Sequence, residues 1–230
     1  MKAILFDLGN TLAEYYTSAE FPGVLERAVS EVQSYLGRHG EAVRSPEELW
    51  QRVQAENHEA RNYRVRPLEA RLSRIFGISD DRHPEGICRA FMKPIFALGR
   101  CYDDSAAVLR ELRRRGLKIA IVSNAPWGSP SYLWREEIER LGLREHVDDI
   151  TICTDIGWRK PARPIFLHTL NKLGLAAADC VFVGDHPRWD FEGPRRVGME
   201  AIIVDRAGTA SGAGHIADLN ELLTMPRVGV

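Results

Sequence analysis

The chain alternates short apolar runs with longer segments in which apolar residues recur every three or four positions. The short runs are rich in Ile and Val, a composition typical of strands that are buried on both faces of a parallel sheet. Segments with helical spacing separate the last four runs, and this alternation predicts a doubly wound α/β sheet. The predicted strands are KAILF (2–6), KIAIVS (118–123), DITIC (149–153), CVFVG (180–184) and EAIIV (200–204).

The stretch between the first and the second predicted strand carries helical patterns and no strand pattern. Its clearest helix start is Ser45-Pro46-Glu47-Glu48, a capping box with proline in the first turn. Because ligands of open parallel sheets bind at the carboxyl ends of the strands, an insertion after the first strand acts as a lid. The predicted helices cover residues 20–38, 46–60, 67–76 and 84–99.

The order of these patterns predicts two domains. An α/β core domain consists of residues 1–14 and 101–230, and it contains the parallel sheet. An all-helical cap domain, residues 15–100, is inserted into the core just after the first strand.

Composition excludes several classes of protein. The 230 residues are 44% hydrophobic and 27% charged, with a net charge of -1, so no global bias toward nucleic acid or membrane is present. No apolar run approaches the ~20 residues that span a bilayer, and we expect a cytoplasmic protein. The oligomeric state is not predicted. The cysteines are too widely spaced to indicate a zinc site or a disulfide framework: Cys88, Cys101, Cys153 and Cys180.

Polar residues follow several of the predicted strands at their carboxyl ends. Parallel strands present these ends at one edge of the sheet, so three carboxylates, one ammonium and one hydroxyl are expected to converge. Clustered carboxylates repel one another unless a cation lies among them, and oxygen ligands suit Mg²⁺. The pattern therefore predicts a site for Mg²⁺ and a phosphate. Its members are Asp7, Ser123 with Asn124, Lys160, Asp185 and Asp190.

Four motifs in this order resemble those of the haloacid dehalogenase-like hydrolase superfamily. They are the strand ending in D-x-x-x-T from Asp7, the strand ending in Ser123-Asn124, the Lys-Pro loop in GWRKPARPIF (157–166), and the VGD strand end at Asp185 with a second aspartate, Asp190. The match spans the predicted core, and the insertion lies where that family carries a helical cap. Each motif alone is weak, but four in the correct order are specific.

The resemblance implies a phosphatase that transfers a phosphoryl group to Asp7 and then hydrolyses the aspartyl-phosphate. Lys160 and Mg²⁺ stabilise the charge on the transferring group. Ser123 and Asn124 bind the phosphate. Asp7, Asp185 and the backbone carbonyl of residue 9 hold the metal, and Asp190 holds Lys160 or a water on the metal. The substrate is expected to be a small phosphorylated metabolite.

Residue 9 departs from this pattern, since phosphatases of the family usually carry an aspartate there that protonates the leaving group. This chain has Gly9, followed by Asn10 where glycine is usual. The departure therefore affects proton transfer. General acid–base catalysis typically contributes about 10²- to 10⁴-fold in rate. Candidates to replace the acid are His186, which titrates near neutrality, and the hinge residues Glu14, Tyr15 and Tyr16.

The predicted cap contains an arginine-rich stretch that would suit a second anionic group on the substrate, although a solvated helix face is the simpler interpretation. The sequence also leaves open whether Trp127 and Trp134 line the pocket or pack under the cap. The arginines concerned are Arg61, Arg64, Arg66, Arg71 and Arg74.

Two other functions compete with the phosphatase. A haloacid dehalogenase uses the same aspartate to attack carbon and also lacks an acid at the position of Gly9. The metal-ligating Gly-Asp pair at Asp185 weighs against it. A catalytically weak binding or regulatory protein that keeps the fold is the third possibility, and Gly9 is its only support.

Overall fold

A computed structural model describes residues 1–42, 44–79, 83–206, 208 and 214–226. The strands are β1 (Ala3–Phe6), β2 (Ala13–Glu14), β3 (Arg100–Cys101), β4 (Lys118–Ser123), β5 (Asp149–Ile152), β6 (Cys180–Gly184), β7 (Glu200–Val204) and β8 (His215–Ile216). The α-helices are α1 (Phe21–Arg38), α2 (Pro46–Glu56), α3 (Leu68–Phe76), α4 (Pro84–Phe96), α5 (Ser105–Arg114), α6 (Ser131–Arg140), α7 (Cys153–Ile156), α8 (Arg163–Leu173) and α9 (Gly193–Arg195). A π-helical stretch covers Pro187–Glu192.

Within these residues, six strands form one parallel sheet in the order β5-β4-β1-β6-β7-β8. The central strand β1 pairs with β4 on one side and β6 on the other, and its four residues are fully buried. Helix α5 packs on β4, and α8 packs on β4 and β5. The predicted fold class, a doubly wound α/β sheet with inserted helices, is confirmed.

The inserted helices α1 to α4 lie between the short strands β2 and β3, which pair in antiparallel fashion. Helix α1 packs against α4, and α3 packs against α2 and α4. Their apolar faces are buried, with Val32, Leu72 and Phe91 at 1% exposure or less. The chain thus enters and leaves the helical insertion through one two-stranded connection. The exact limits of the two domains remain a prediction.

Helix α2 starts at the predicted capping box but ends at Glu56, earlier than the pattern predicts. Ser45 accepts a hydrogen bond from the Glu48 N–H at 3.2 Å, as a capping box requires. At the other end the Glu56 carbonyl accepts hydrogen bonds from Arg66 and Arg71, which satisfy the helix terminus. The following residues, 57–66, form a loop that we call the cap loop.

The cap loop lies against the core. The N–H of Val65 donates to the carbonyl of Gly157 at 3.0 Å, and the N–H of Arg159 donates to the carbonyl of Tyr63 at 2.9 Å. The Arg64 guanidinium lies 4.2 Å from the centre of the Trp158 ring. The insertion therefore contacts the core both at its hinge and at the segment that carries Lys160.

Among the described residues, no helix is both long enough and apolar enough to cross a membrane.

Candidate active site

Three adjacent strands end at one edge of the sheet and bring the predicted site residues together. Asp7 follows β1, Ser123 ends β4, and Asp185 follows β6. The register pairs Phe6 with Ile121 and with Val183, so Asp7 is level with Val122 and Gly184, and Ser123 and Asp185 each lie one residue further along. This placement follows from strand order, because β1 lies between the other two.

Asp7 is held from two sides and is only 8% exposed. Its Oδ1 accepts a hydrogen bond from Ser123 Oγ at 2.8 Å and pairs with Lys160 Nζ at 2.9 Å. Its backbone N–H donates to the carbonyl of Val183 at 2.9 Å. Its Oδ2 receives no hydrogen bond from the described residues, and Asp7 lines a cavity. The carboxylate is therefore fixed through one oxygen and leaves the other for a ligand.

Lys160 is fully buried and is positioned by both its side chain and its backbone. Nζ lies 2.7 Å from Asp190 Oδ1, and the second Asp190 oxygen accepts a hydrogen bond from the His186 N–H at 3.0 Å. The Asn124 side chain accepts from the Lys160 N–H at 2.8 Å and donates to its carbonyl at 3.2 Å. Burial opposes a charge here, but Asp190 and Asp7 outweigh it and raise the pKa of Lys160. The lysine is therefore held as a cation.

Gly184 makes room for Asp190. A Cβ at position 184 would lie 2.4 Å from both Cβ and Cγ of Asp190, which is a severe overlap. Gly184→Ala is expected to displace Asp190 from Lys160 and to lower both activity and the free energy of unfolding, the latter by about 1–3 kcal/mol. Urea unfolding and steady-state kinetics measure the two effects.

Gly198→Ala is the control for the effect of a glycine-to-alanine change on stability. A Cβ at position 198, near α9, meets no atom closer than 3.7 Å. The φ of +94° at Gly198 gives this substitution a backbone penalty of its own. The control should therefore lose stability without a comparable loss of activity. Normal activity in Gly184→Ala would show that the Asp190–Lys160 contact is dispensable.

Asp7, Asp185 and Asp190 form a carboxylate cluster whose ligand atoms lie within 4.8 Å of one another. Burial, followed by the charge of Asp7, raises the pKa of Asp185 to about 6. Lys160 contributes one positive charge beside the three carboxylates, so two negative charges remain. One divalent cation balances them. The set offers oxygen donors alone, which is the chemistry that Mg²⁺ selects among biological metals. The described residues therefore fit a hard divalent cation.

Gly9 and Asn10 form the turn beside this cluster. Asn10 has a φ of +55°, a left-handed conformation that asparagine tolerates, which accounts for its presence where the family usually has glycine. Its side-chain amide opposes the rise in the pKa of Asp185. The carbonyl of Gly9 accepts no hydrogen bond from the described residues, so it is free for a ligand.

The cavity over Asp7 has a volume of ≈ 370 Å³, a size that suits a small metabolite. One end is polar and contains Asp7, Ser123 and Asp185. The remaining wall is largely aromatic, formed by Tyr15, Tyr16, Phe21, Pro126, Trp134 and Trp189. The cavity thus combines a phosphate-sized polar end with an apolar wall from both the hinge and the core.

The hinge residues divide between two roles. Tyr15 donates a hydrogen bond to Glu137 at 3.2 Å, and burial followed by the charge of Glu137 raises its pKa strongly. Its hydroxyl therefore holds the hinge against α6, where Glu137 lies. Its ring carbon Cδ2 is the atom nearest to a Cβ built at Gly9, at a distance of 4.0 Å. Burial raises the pKa of Tyr16 to about 12. Glu14 pairs with Arg100 and does not line the cavity.

His186 lines the cavity, and its ring stacks on Trp189 with 3.9 Å between centroids. Its Nδ1 accepts hydrogen bonds from the N–H groups of Arg188 and Trp189, at 3.2 and 3.4 Å. Burial, followed by the charge of Lys160, lowers the pKa of the ring. Both features favour the neutral ring with its proton on Nε2, which is a hydrogen-bond donor rather than a strong acid. Its role as substitute acid or base remains a prediction.

Trp127 and Trp134, left open by the sequence, occupy different places. Trp134 lines the cavity and donates to Ser129 Oγ at 2.8 Å. Trp127 is buried under the cap, with the Arg71 guanidinium 4.1 Å from its ring centre and Phe91 packed beside it.

None of the five cap arginines named above is among the described residues that line the cavity. Arg66 and Arg74 pair with Glu56, and the buried Arg71 donates to the carbonyls of Glu56 and His58. The cavity instead contains Arg159, which the sequence analysis passed over. The signal that could have identified Arg159 is its position next to Lys160 in the Lys-Pro loop.

Comparison with known proteins agrees with this fold. Residues 1–198 match the family of haloacid dehalogenase-like hydrolases. The chain is 28% identical to a glyceraldehyde 3-phosphate phosphatase from Methanopyrus kandleri (90% of this chain, 84% of the relative) and 30% identical to a phosphoserine phosphatase from Thermus thermophilus (89% and 82%).

Solved structures agree in fold. A HAD phosphatase from Thermococcus onnurineus superimposes with a TM-score of 0.68 at 24% identity, and a 2-haloacid dehalogenase from Pseudomonas syringae with 0.67 at 22%, each over 97% of both chains. At these identities the two structures support the fold alone. The family match over most of the chain, together with the sheet and the strand-end residues, establishes that this protein belongs to the haloacid dehalogenase-like hydrolases.

Proposed function

We propose that this chain is a Mg²⁺-dependent phosphatase that hydrolyses a small phosphorylated metabolite through an aspartyl-phosphate on Asp7. The observation that carries the proposal is the contact between Asp7 and a buried cationic Lys160, beside the carboxylates of Asp185 and Asp190. A lysine and a divalent cation around one carboxylate suit phosphoryl transfer, in which charge neutralisation is the main catalytic effect. The phosphatases among the relatives support the same chemistry.

In the first step, Oδ2 of Asp7 attacks phosphorus while the P–O bond to the leaving group breaks. Ser123 and Lys160 hold Oδ1 and keep the carboxylate from rotating. Lys160 also stabilises negative charge on the phosphoryl oxygens. The aromatic wall lines the space beside Asp7 and shields the leaving group from part of the solvent.

Asp7, Asp185 and the Gly9 carbonyl would hold Mg²⁺, and Asp190 would keep Lys160 in place. When bound, the ion supplies positive charge that neutralises the phosphoryl oxygens and offsets the repulsion between Asp7 and Asp185. Gly9 retains the carbonyl that this role requires, so the missing aspartate side chain does not remove a ligand.

The missing acid at position 9 affects proton transfer in both steps. A leaving group that is already a weak base departs without protonation, whereas an alkoxide needs a proton. In the second step, water attacks the aspartyl-phosphate without a carboxylate base at residue 9. We therefore expect dephosphorylation to be slow, so that a burst of leaving group precedes steady turnover.

Hydrolysis of 4-nitrophenyl phosphate by purified protein tests the proposal. Release that requires Mg²⁺ and stops in EDTA is the expected result. A folded protein that binds Mg²⁺ but releases no nitrophenol would refute it. Hydrolysis of 2-haloacids but not of the phosphate ester would then identify a dehalogenase. No hydrolysis of either substrate would favour a binding or regulatory protein.

Gly9→Asp is expected to increase kcat/KM on alkyl phosphates by about 10²-fold and on aryl phosphates much less, because kcat/KM reports the first step, in which only the alkoxide needs a proton. The cavity admits the side chain, since the atom nearest to a Cβ at position 9 is 4.0 Å away. Steady-state kinetics on glycerol 3-phosphate and 4-nitrophenyl phosphate measure the difference.

Gly9→Asn is the matched control, because it has the same shape without an acid and should give no gain. An equal gain on both esters, or a gain in the asparagine variant, would contradict the proton-transfer explanation.

A further inference from the structure

Two basic side chains from one short segment face the site in different ways. Lys160 is buried and forms ion pairs with Asp7 and Asp190. Arg159, the preceding residue, lines the cavity, and its side chain is 12% exposed. Among the described lining residues, Arg159 is the only arginine or lysine. The cavity therefore has a cationic group that is separate from the phosphoryl-transfer centre.

Arg159 belongs to a cluster with more positive than negative charge. Its guanidinium pairs with Glu59 of the cap loop, and Glu59 also lies 3.9 Å from Arg71. Burial lowers the pKa of Arg71 to about 10, and nearby guanidiniums contribute to the lowering. Among the described residues, three arginines face two glutamates in this cluster: Arg66, Arg71 and Arg159, with Glu56 and Glu59.

The Arg159 guanidinium also has a donor without a partner among the described residues. Its Nε is buried and has no hydrogen-bond partner among the described residues. Its backbone is fixed by the hydrogen bond to the Tyr63 carbonyl, and its guanidinium lies 5.9 Å from the centre of the Trp189 ring. A cation held at a defined position with an unused donor is suited to bind an anionic oxygen group.

We propose that the substrate carries a second anionic group, a carboxylate or a second phosphate, on its leaving group, and that Arg159 binds it. Glu59 holds the guanidinium toward the cavity, while the surplus charge of the cluster favours an anion. The aromatic wall and the small volume restrict the leaving group to a compact molecule. This inference rests on the proposed phosphatase function, because it assigns the leaving group of that reaction.

The test compares esters that differ in one group, with Mg²⁺ present. Glycerol 3-phosphate has a neutral leaving group, 3-phosphoglycerate replaces its terminal alcohol by a carboxylate, and glycerol 1,3-bisphosphate carries a second phosphate there. The wild type should prefer at least one anionic ester over glycerol 3-phosphate by about 10-fold or more in kcat/KM. Which ester is preferred distinguishes a carboxylate from a phosphate.

Arg159→Gln should remove this preference, mainly through KM, and leave kcat/KM for glycerol 3-phosphate and 4-nitrophenyl phosphate within about 3-fold. Arg159→Lys should keep part of the preference, because it retains the charge without the planar donor pair. Arg61→Gln is the matched control: Arg61 is exposed in the cap loop and outside the cavity lining, and the preference should persist.

Binding of the same three esters to Asp7→Asn by calorimetry gives a readout that does not depend on turnover. Tighter binding of an anionic ester that Arg159→Gln abolishes would support the inference even if hydrolysis is slow. Equal binding and turnover of all three esters, or equal losses on all three in Arg159→Gln, would overturn it. Failure to release nitrophenol from 4-nitrophenyl phosphate would instead refute the phosphatase proposal.

Discussion

Asp7→Asn is expected to reduce kcat for 4-nitrophenyl phosphate by on the order of 10⁵-fold, because it removes the atom that forms the covalent intermediate. The substituted amide oxygen can still accept from Ser123 and Lys160, so the surrounding geometry should survive. Steady-state kinetics measure the loss, and thermal unfolding in EDTA should give a melting temperature close to that of the wild type.

Asp103→Asn is the matched control, since Asp103 is exposed and does not line the cavity. Its activity should be that of the wild type. Retention of more than a small fraction of turnover in a homogeneous preparation of Asp7→Asn would contradict a nucleophilic role for Asp7.

Lys160→Met is expected to lower the free energy of unfolding by about 3–5 kcal/mol in EDTA, in addition to abolishing activity. The substitution leaves Asp190 without its cation, and the side chains of Lys160 and Asp190 are both 0% exposed. An uncompensated buried carboxylate is costly, whereas the intact pair is not necessarily stabilising. Urea unfolding measures the change.

Two further variants isolate this cause. The double variant Lys160→Met with Asp190→Asn should recover part of the stability, because it removes the stranded charge. Lys2→Met is the surface control: Lys2 pairs with Asp179 at 2.9 Å, but its side chain is 63% exposed, so little change is expected. Equal losses in Lys160→Met and the double variant would show that packing, not the unpaired carboxylate, dominates.

The sequence predicted the framework of the molecule because buried parallel strands have a strong and local signal. The predicted strands at 2–6, 118–123 and 180–184 correspond to β1, β4 and β6. Their order in the sheet, β4-β1-β6, places Asp7 between Ser123 and Asp185. The short strands β2, β3 and β8 were not predicted, since two residues are too few for a periodic pattern.

The cavity wall was less accessible to sequence reasoning. Arg159 and Phe21 reach it through the contact between the cap and the core, which no local pattern encodes. The cap arginines, which the sequence offered as candidates for binding an anionic group, do not line the cavity. Arg66 and Arg71 instead bind the end of α2 and the cap loop, because helix α2 stops at Glu56. The roles of the site residues remain predictions.

The central claim is that Asp7 carries the phosphoryl group, and rapid acid quenching during turnover of 4-nitrophenyl phosphate tests it most directly. Because no carboxylate at residue 9 activates water in the second step, the phosphoenzyme should accumulate. Mass spectrometry of the digested protein should then find one added phosphoryl group on the peptide that contains Asp7, and none in Asp7→Asn. Continuous turnover with no phosphorylated peptide at any quench time, or with the group on another residue, would contradict the account.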